Sequence, residues 1–457
     1  MTESDEYVMV EIPRNQPDSV AKEWASSLRG KETIKGYERE QRHMEKVPPL
    51  ILKSEKGRRN RERYEPAVVS LGPYHHNRAS LAQGEKCKLI TLEEYSLGTG
   101  KPVALLYEKV FAVVHDARKC YIDGSTDAYT DHEFNQMMLR DACFILSFIE
   151  NVSRASDKIF LNSEYLGYIG LANAIPDLFV LENQIPFVVL QVLLKLKFPD
   201  DEGEDVLNRF FNYLNYGEVV VRNEKVLNNK HRYPLHLLEL YRSYFISLSV
   251  SPSTSSPKES KGNDSVEDFN YVKRSRSFAS VTELKARWIF MKRMEDEPSG
   301  AVEFNSNRFY GEFKLVRRAL STYTKSIYLN MIAYEMCPHN PNDLRISTYL
   351  KVMKALIIER DDVKELRNNG ILLHSLSHDE EVVKMFDEIE VPGVNLYMYN
   401  ELRLGIESIQ LHKFKTWVAE LITEYLSSPW KATGLLVGAA LLVTSIVQTY
   451  FAINSED

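Results

Sequence analysis

Residues 176–194 read PDLFVLENQIPFVVLQVLL, and the way this run is divided decides the fold. Leu178 to Leu194 is apolar except for Glu182, Asn183, Gln184 and Pro186 near its middle. A membrane-spanning helix needs about 20 apolar residues to cross roughly 30 Å of hydrocarbon. This run is shorter, and an ionised carboxylate at a helix centre costs about 2.5–3.5 kcal/mol on insertion. Pro186 removes an amide donor and clashes with the carbonyl of Glu182. The run therefore predicts two short buried helices meeting at an angle. The break frees backbone groups that need partners, and Glu182, Asn183 and Gln184 are placed to supply them as a structural polar core. A binding pocket built on the break is the competing reading, but buried polar groups are more commonly satisfied than used.

A second run, ATGLLVGAALLVTSIVQTYFAI, extends from Ala432 to Ile453 without a charge. As a helix it is about 33 Å long at 1.5 Å per residue, enough to cross a bilayer. Ser428 suits a cap, Pro429 a first turn, and Trp430 and Tyr450 the two interfaces. One C-terminal transmembrane helix, 429–453, is the expectation, with a short tail at 454–457. Gly434 and Gly438 form a small-xxx-small pair that Ser445 and Gln448 continue as a polar stripe. Association of this helix with a second copy follows as an expectation. Lys413, Lys415 and Lys431 precede the span and Glu456 and Asp457 follow it. That asymmetry puts the large domain in the cytosol, on a plasma membrane or endomembrane. The first forty residues hold no apolar core of signal-peptide length.

The 457 residues carry a net charge of −7, with 44% hydrophobic and 26% charged residues. That is an ordinary globular composition with no overall pull towards nucleic acid. Cys87, Cys120, Cys143 and Cys337 form no C-x-x-C pair, so neither a zinc site nor a disulfide framework is expected. The chain divides into a polar N-terminal segment, 1–43, and a large helical domain with minor β structure, 44–428. A Ser/Pro-rich flexible insertion interrupts that domain at 249–280. EFNQMMLRDACFILSFIE, Glu133–Glu150, places Phe134, Met138, Asp141, Ile145 and Phe148 on one helix face, with apolar residues on the others. Asp141 then needs a partner in the core. Leu402, Ile406, Ile409, Trp417 and Leu421 mark an amphipathic helix leading to the span.

No catalytic constellation is readable. GTGK, Gly98–Lys101, lacks the leading P-loop glycine, and Pro102 stands where Ser or Thr is required. There is no nucleophile-elbow G-x-S-x-G. His374 and His378 would share a face if helical, but two histidines without a third ligand specify no metal. Gly72-Pro73 reads as a tight turn before His75 and His76. The basic stretch KSEKGRRNRER, Lys53–Arg63, is a solvated loop or a contact for an acidic partner.

Several collinear stretches resemble a plant family, domain of unknown function 247 (the UPF0481-like proteins). They are YEPAVVSLGPYHH (Tyr64–His76), EFNQMMLRDACFIL (Glu133–Leu146), PDLFVLENQIPF (Pro176–Phe187), YLNMIAYE (Tyr328–Glu335), Ser347–Leu372 and Ser428–Thr449. The resemblance implies a largely helical domain with a C-terminal membrane anchor, no established activity, no cofactor or metal, and no transferable site residue. DGSTDAY (Asp123–Tyr129) and DACFIL look similar to grass members thought to act as pollen-side self-incompatibility determinants. Ala142 replaces a frequent glycine, and Glu283–Arg293 departs from the family's usual pattern. The function expected is recognition or signalling with an unidentified protein partner, not catalysis and not nucleic-acid binding. An enzyme using Asp141 or Glu182, or a nuclear or scaffold role through Lys53–Arg63, are the alternatives.

Overall fold

The computed structural model describes residues 42–154, 173–198, 200, 202–218, 234–249, 279–294, 303–306, 310–340, 343–396, 398 and 429–454. Short helices α1 (Pro49–Lys53) and α2 (Glu55–Arg59) open the chain. An extended stretch, 65–73, then leads to α3 (Ala82–Thr99), α4 (Val103–Phe111), α5 (Val114–Arg118) and α6 (Asp131–Ser153). Next come α7 (Phe187–Lys197), α8 (Glu202–Tyr216), α9 (Leu237–Ser249) and α10 (Val281–Ala286). Four strands follow: β1 (Ile289–Arg293), β2 (Glu303–Ser306), β3 (Gly311–Leu315) and β4 (Arg318–Leu320). The chain continues through α11 (Thr324–Glu335), α12 (Arg345–Leu356), α13 (Arg360–Asn368), β5 (Leu372–His374), α14 (Asp379–Glu388) and α15 (Pro429–Asn454).

Helix α6 organises the first half. Thr130 caps it, its hydroxyl accepting from the Glu133 amide while Glu133 reaches back to the Thr130 amide. That reciprocal box satisfies two of the donors every helix start leaves open. From Phe134 to Ile149 almost every side chain is buried, and α3, α4, α7 and α8 pack around it. In the second half α11 plays the same part, buried from Thr324 to Glu335 between α9 and α12. Strand β3 lies between β1, parallel to it, and β2, antiparallel; β4 and β5 form a separate parallel pair. One continuous apolar core joins the two halves.

The mainly helical expectation with minor β structure holds, but the C-terminal membrane span does not. Helix α15 has 26 residues, yet among the described residues no helix is long and apolar enough to cross a membrane. The single-pass topology rested on that span, and no helix among the described residues supplies it. The amphipathic stretch through Leu402–Leu421, Lys413 and Lys415, most of the Ser/Pro-rich insertion and the segment before Arg42 lie outside the described residues.

The break at Leu178–Leu194 also differs from the two helices expected. Residues 178–186 are turns and irregular chain, and Pro186 is the N-cap of α7 rather than a kink inside a helix. Proline suits that position because the first helical amides have no intrahelical acceptor.

Gly72 has φ +70°, and a Cβ there would meet the Gln184 carbonyl oxygen at 2.7 Å and the Tyr121 hydroxyl at 2.8 Å. Gly100 has φ +63° as the C-cap of α3, with nothing within 4 Å. Gly100→Ala should therefore cost only the left-handed penalty of about 1–2 kcal/mol. Gly72→Ala should cost roughly 2 kcal/mol more, because backbone has to move. Urea unfolding of the two variants checks this; equal losses would contradict the close packing at Gly72.

Candidate functional site

The stretch from Ala67, which is exposed, to Gly72, which is buried, passes into the interior with no strand beside it among the described residues, so its amides need side-chain acceptors. Asp177 accepts from Ala67 (2.9 Å), Val68 (2.7 Å) and Val69 (2.9 Å). Asn183 accepts from the Leu71 amide at 2.7 Å and donates to the carbonyls of Val69 and Asp177, both at 3.0 Å. Asp141 accepts from the Gly72 amide at 2.7 Å. Gln184 donates to Leu178 and Val180 carbonyls, and accepts from the Leu238 amide at 3.1 Å. Glu182, half-buried, accepts from the Val47 amide at 2.9 Å. Asp141, Glu182, Asn183 and Gln184 thus each hold main chain. Asp141 Oδ2, Glu182 Oε1 and the side-chain oxygens of Asn183 and Gln184 are thereby engaged by backbone amides.

Asp141 finds its charge partner in Lys88 of α3, with Nζ 2.6 Å from Oδ1; both side chains are within 1% of fully buried. Burial pushes the Asp141 carboxyl up, against the pull of Lys88, which comes next in size. Lys88 also reaches Glu85 at 2.6 Å. Burial likewise pushes Asp177 up to about 6 despite its three amide donors, so it remains an acceptor at neutral pH. A sequence signal for Lys88 existed. Gly84, Cys87, Lys88, Thr91 and Tyr95 are the buried residues of α3, and their 3–4 spacing sets the lysine on the apolar face.

A second buried cluster joins α9, α11 and α12. Glu335, fully buried, accepts from Arg242 at 2.6 Å, from the amides of Ile346 and Ser347, and from the Ser347 hydroxyl at 2.7 Å. Here the carboxylate sits on the first amides of α12, where a helix start favours negative charge. Arg242 also bonds Asp343. Neither group was apparent in the sequence, because each lies in a helix whose pattern reads only as core.

Open space lies elsewhere. A cleft of about 510 Å³ is bounded by the end of α6, the end of α8 and the β4–β5 pair. Tyr213, Tyr216 and Tyr323 supply aromatic walls, and Ser321, Thr322 and Ser375 bring hydroxyls to it. Burial pushes the Tyr323 phenol up to about 12, keeping it a neutral donor. His374 stands at the same cleft, but its Nε2 lies 2.8 Å from Asp379 Oδ1, which Arg367 also contacts at 3.1 Å. The His374–His378 pairing on one helix face does not occur: His374 is on β5 and His378 is the N-cap of α14. Among the described residues no group of three metal-ligating side chains forms.

The basic stretch is structured, not a loop. Lys56 bonds the carbonyl and carboxylate of Asp387 at the end of α14, and the Asn60 amide reaches Glu388 O at 3.1 Å. Arg59 pairs with Glu55 and Arg61 with Glu65. Lys56, beside Lys354 and Asp387, thus complements the negative end of a helix. All four cysteines are free thiols. GTGK is the C-cap of α3. On α15, Gly434, Gly438, Ser445 and Gln448 are exposed, and a Cβ on either glycine would meet nothing within 4 Å.

The chain belongs to the DUF247 family of plant proteins of unknown function, whose pattern matches residues 46–444. Among its relatives is a UPF0481 protein of Arabidopsis thaliana, 26% identical over 417 residues, covering 87% of this chain and 84% of that one. A putative UPF0481 protein of the same plant is 21% identical over 475 residues, covering 86% and 88%. No solved structure matches the chain.

Breaking one half of a buried ion pair strands the other charge, at about 3–5 kcal/mol. Lys88→Met should lose that much stability, and adding Asp141→Asn should lose less than the sum of the two single variants. Denaturant unfolding of the cycle checks this; strict additivity would mean that the pair is not coupled.

His75 is 2% exposed, and neither ring nitrogen has a hydrogen-bond partner. Burial, then the Arg78 charge, pulls its imidazole down from about 6.5 to about 4. The unfolded chain therefore takes up a proton that the folded one refuses. Stability is full above about pH 6.5 and falls by roughly 2–3 kcal/mol as pH drops towards 4. His75→Phe should flatten this window in a melting-temperature series, and an unchanged acid slope would remove His75 as its source.

Proposed function

We propose that this protein is a recognition protein that binds its ligand without converting it, at the cleft between α6, α8 and the β4–β5 pair. The observation that carries the reading is the commitment of the candidate acid–base groups. Asp141 gives one oxygen to the Gly72 amide and the other to Lys88, and Glu182 gives Oε1 to the Val47 amide. A general acid or base needs reach to a substrate proton, and the cleft does not include either carboxylate. Its size falls within the few hundred to thousand Å³ usual for small-molecule sites. A nuclear or scaffold role draws less support, since Lys56, Arg59 and Arg61 of the basic stretch have carboxylate partners. A part in signalling, including pollen-side self-incompatibility, is a downstream use of such recognition. It rests on the likeness of Asp123–Tyr129 and the DACFIL stretch.

Immobilised full-length chain and its Thr322→Tyr variant, with matched melting temperatures, should be compared on a plant extract. A compound held by the first, lost by the second and recovered chemically unchanged supports the reading. Recovery as a product, or equal retention by both, overturns it.

A further inference from the structure

We infer that the cleft takes an uncharged, ring-bearing small molecule with hydroxyl or carbonyl groups, a specificity that rests on the recognition reading and narrows it. Three features of its wall point there. First, its aromatic surface comes from Tyr213, Tyr216, Tyr323 and Phe148 at converging element ends. Rings of this kind favour an aromatic or flat ring partner by stacking or edge contact. Second, the hydrogen-bonding groups are neutral. Thr322 and Ser375 are exposed hydroxyls beside the exposed amide of Asn173. Such groups orient a ligand hydroxyl or carbonyl without demanding charge.

Third, the charged groups at the cleft are matched within the protein. Glu218 pairs with Arg317 at 3.1 Å. His374 has Asp379 at 2.8 Å on Nε2 and the Leu376 carbonyl at 3.3 Å on Nδ1. The nearby buried Arg318 does not line the cleft; it bonds Asn215 at 2.7 Å and lies over the Phe245 ring at 3.9 Å. Among the described residues lining the cleft, a ligand carboxylate or ammonium would lose its water and meet no uncommitted counter-charge, which is costly. A neutral ring loses little water and gains the tyrosine walls.

The test uses full-length protein and three probes that share one ring and differ in charge: benzyl alcohol, benzoate and benzylamine. Saturation-transfer NMR reads their binding. Two variants fill the cleft: Ala319→Phe at its half-buried wall and Thr322→Tyr at its exposed edge. The second is tolerated even if the first fails to fold. Benzyl alcohol should bind, and either folded variant should weaken it at least about tenfold. Preference for benzoate or benzylamine, lost on filling the cleft, overturns the neutral-ligand inference and leaves the recognition reading standing. Binding of none of the three, or binding that neither variant weakens, overturns both.

Discussion

The structure depends on a stretch of main chain that crosses the interior with no strand beside it. Between Ala67 and Gly72, five amides are taken by side chains: three by Asp177, one by Asn183 and one by Asp141. A buried amide without an acceptor costs of the order of a lost hydrogen bond or more. Those three side chains therefore set where their own elements must stand. Asp141 ties the stretch to α6, and through Lys88 to α3. Asp177 and Asn183 tie it to the 177–186 turn, whose Leu181 amide is held in turn by Asn330 of α11 at 2.9 Å. Asn330 also reaches the Arg63 carbonyl at 2.8 Å. Chain segments more than a hundred residues apart are thus joined by polar contacts that admit one register only.

This arrangement explains the residue choice in two of the stretches that carry the family likeness. Gly72 is required because the chain turns with positive φ while pressed against the Gln184 carbonyl. Gln184 is required because its amide closes the turn onto Leu178 and Val180 while its oxygen receives α9. Apolar replacements of similar volume could fill the space but would leave the amides bare. Specificity of path, more than net stability, is what buried polar groups of this kind supply.

Much of the helical architecture was legible from periodicity. The buried faces of α6 and the need of Asp141 for a partner followed from 3.6-residue spacing. The pairing itself did not: the 3–4 spacing of α3 marks Lys88 as buried, but a contact across 53 positions leaves no local trace of which group it meets. The polar block at Glu182–Gln184 was readable as a supplier of backbone partners, but the turn that it builds was not. A proline after a polar block is compatible with a kinked helix or with a new helix start, and the structure takes the second. The C-terminal run shows the opposite failure. Its charge-free composition pointed to a span, whereas among the described residues no helix is long and apolar enough to cross a membrane. The cleft had no signal at all, since Tyr213, Ala319, Thr322 and Ser375 come together only through the β4–β5 pairing.

The polar groups around the 67–72 stretch and those at the cleft are arranged in different ways. Around the 67–72 stretch, Asp141 and Asp177 are buried and hold main-chain amides, so neither can turn to a ligand without releasing main chain. In the cleft, hydroxyls and aromatic rings stand open while the charges beside them are matched internally. A fold that meant to do acid–base work would place a perturbed carboxylate or imidazole where a ligand can reach it. Here a strongly shifted carboxylate and a strongly shifted imidazole, Asp177 and His75, are both buried in or beside the 67–72 stretch, while the shifted group at the cleft is the Tyr323 phenol. The shifts of Asp177 and His75 record the cost of holding that chain inside the protein.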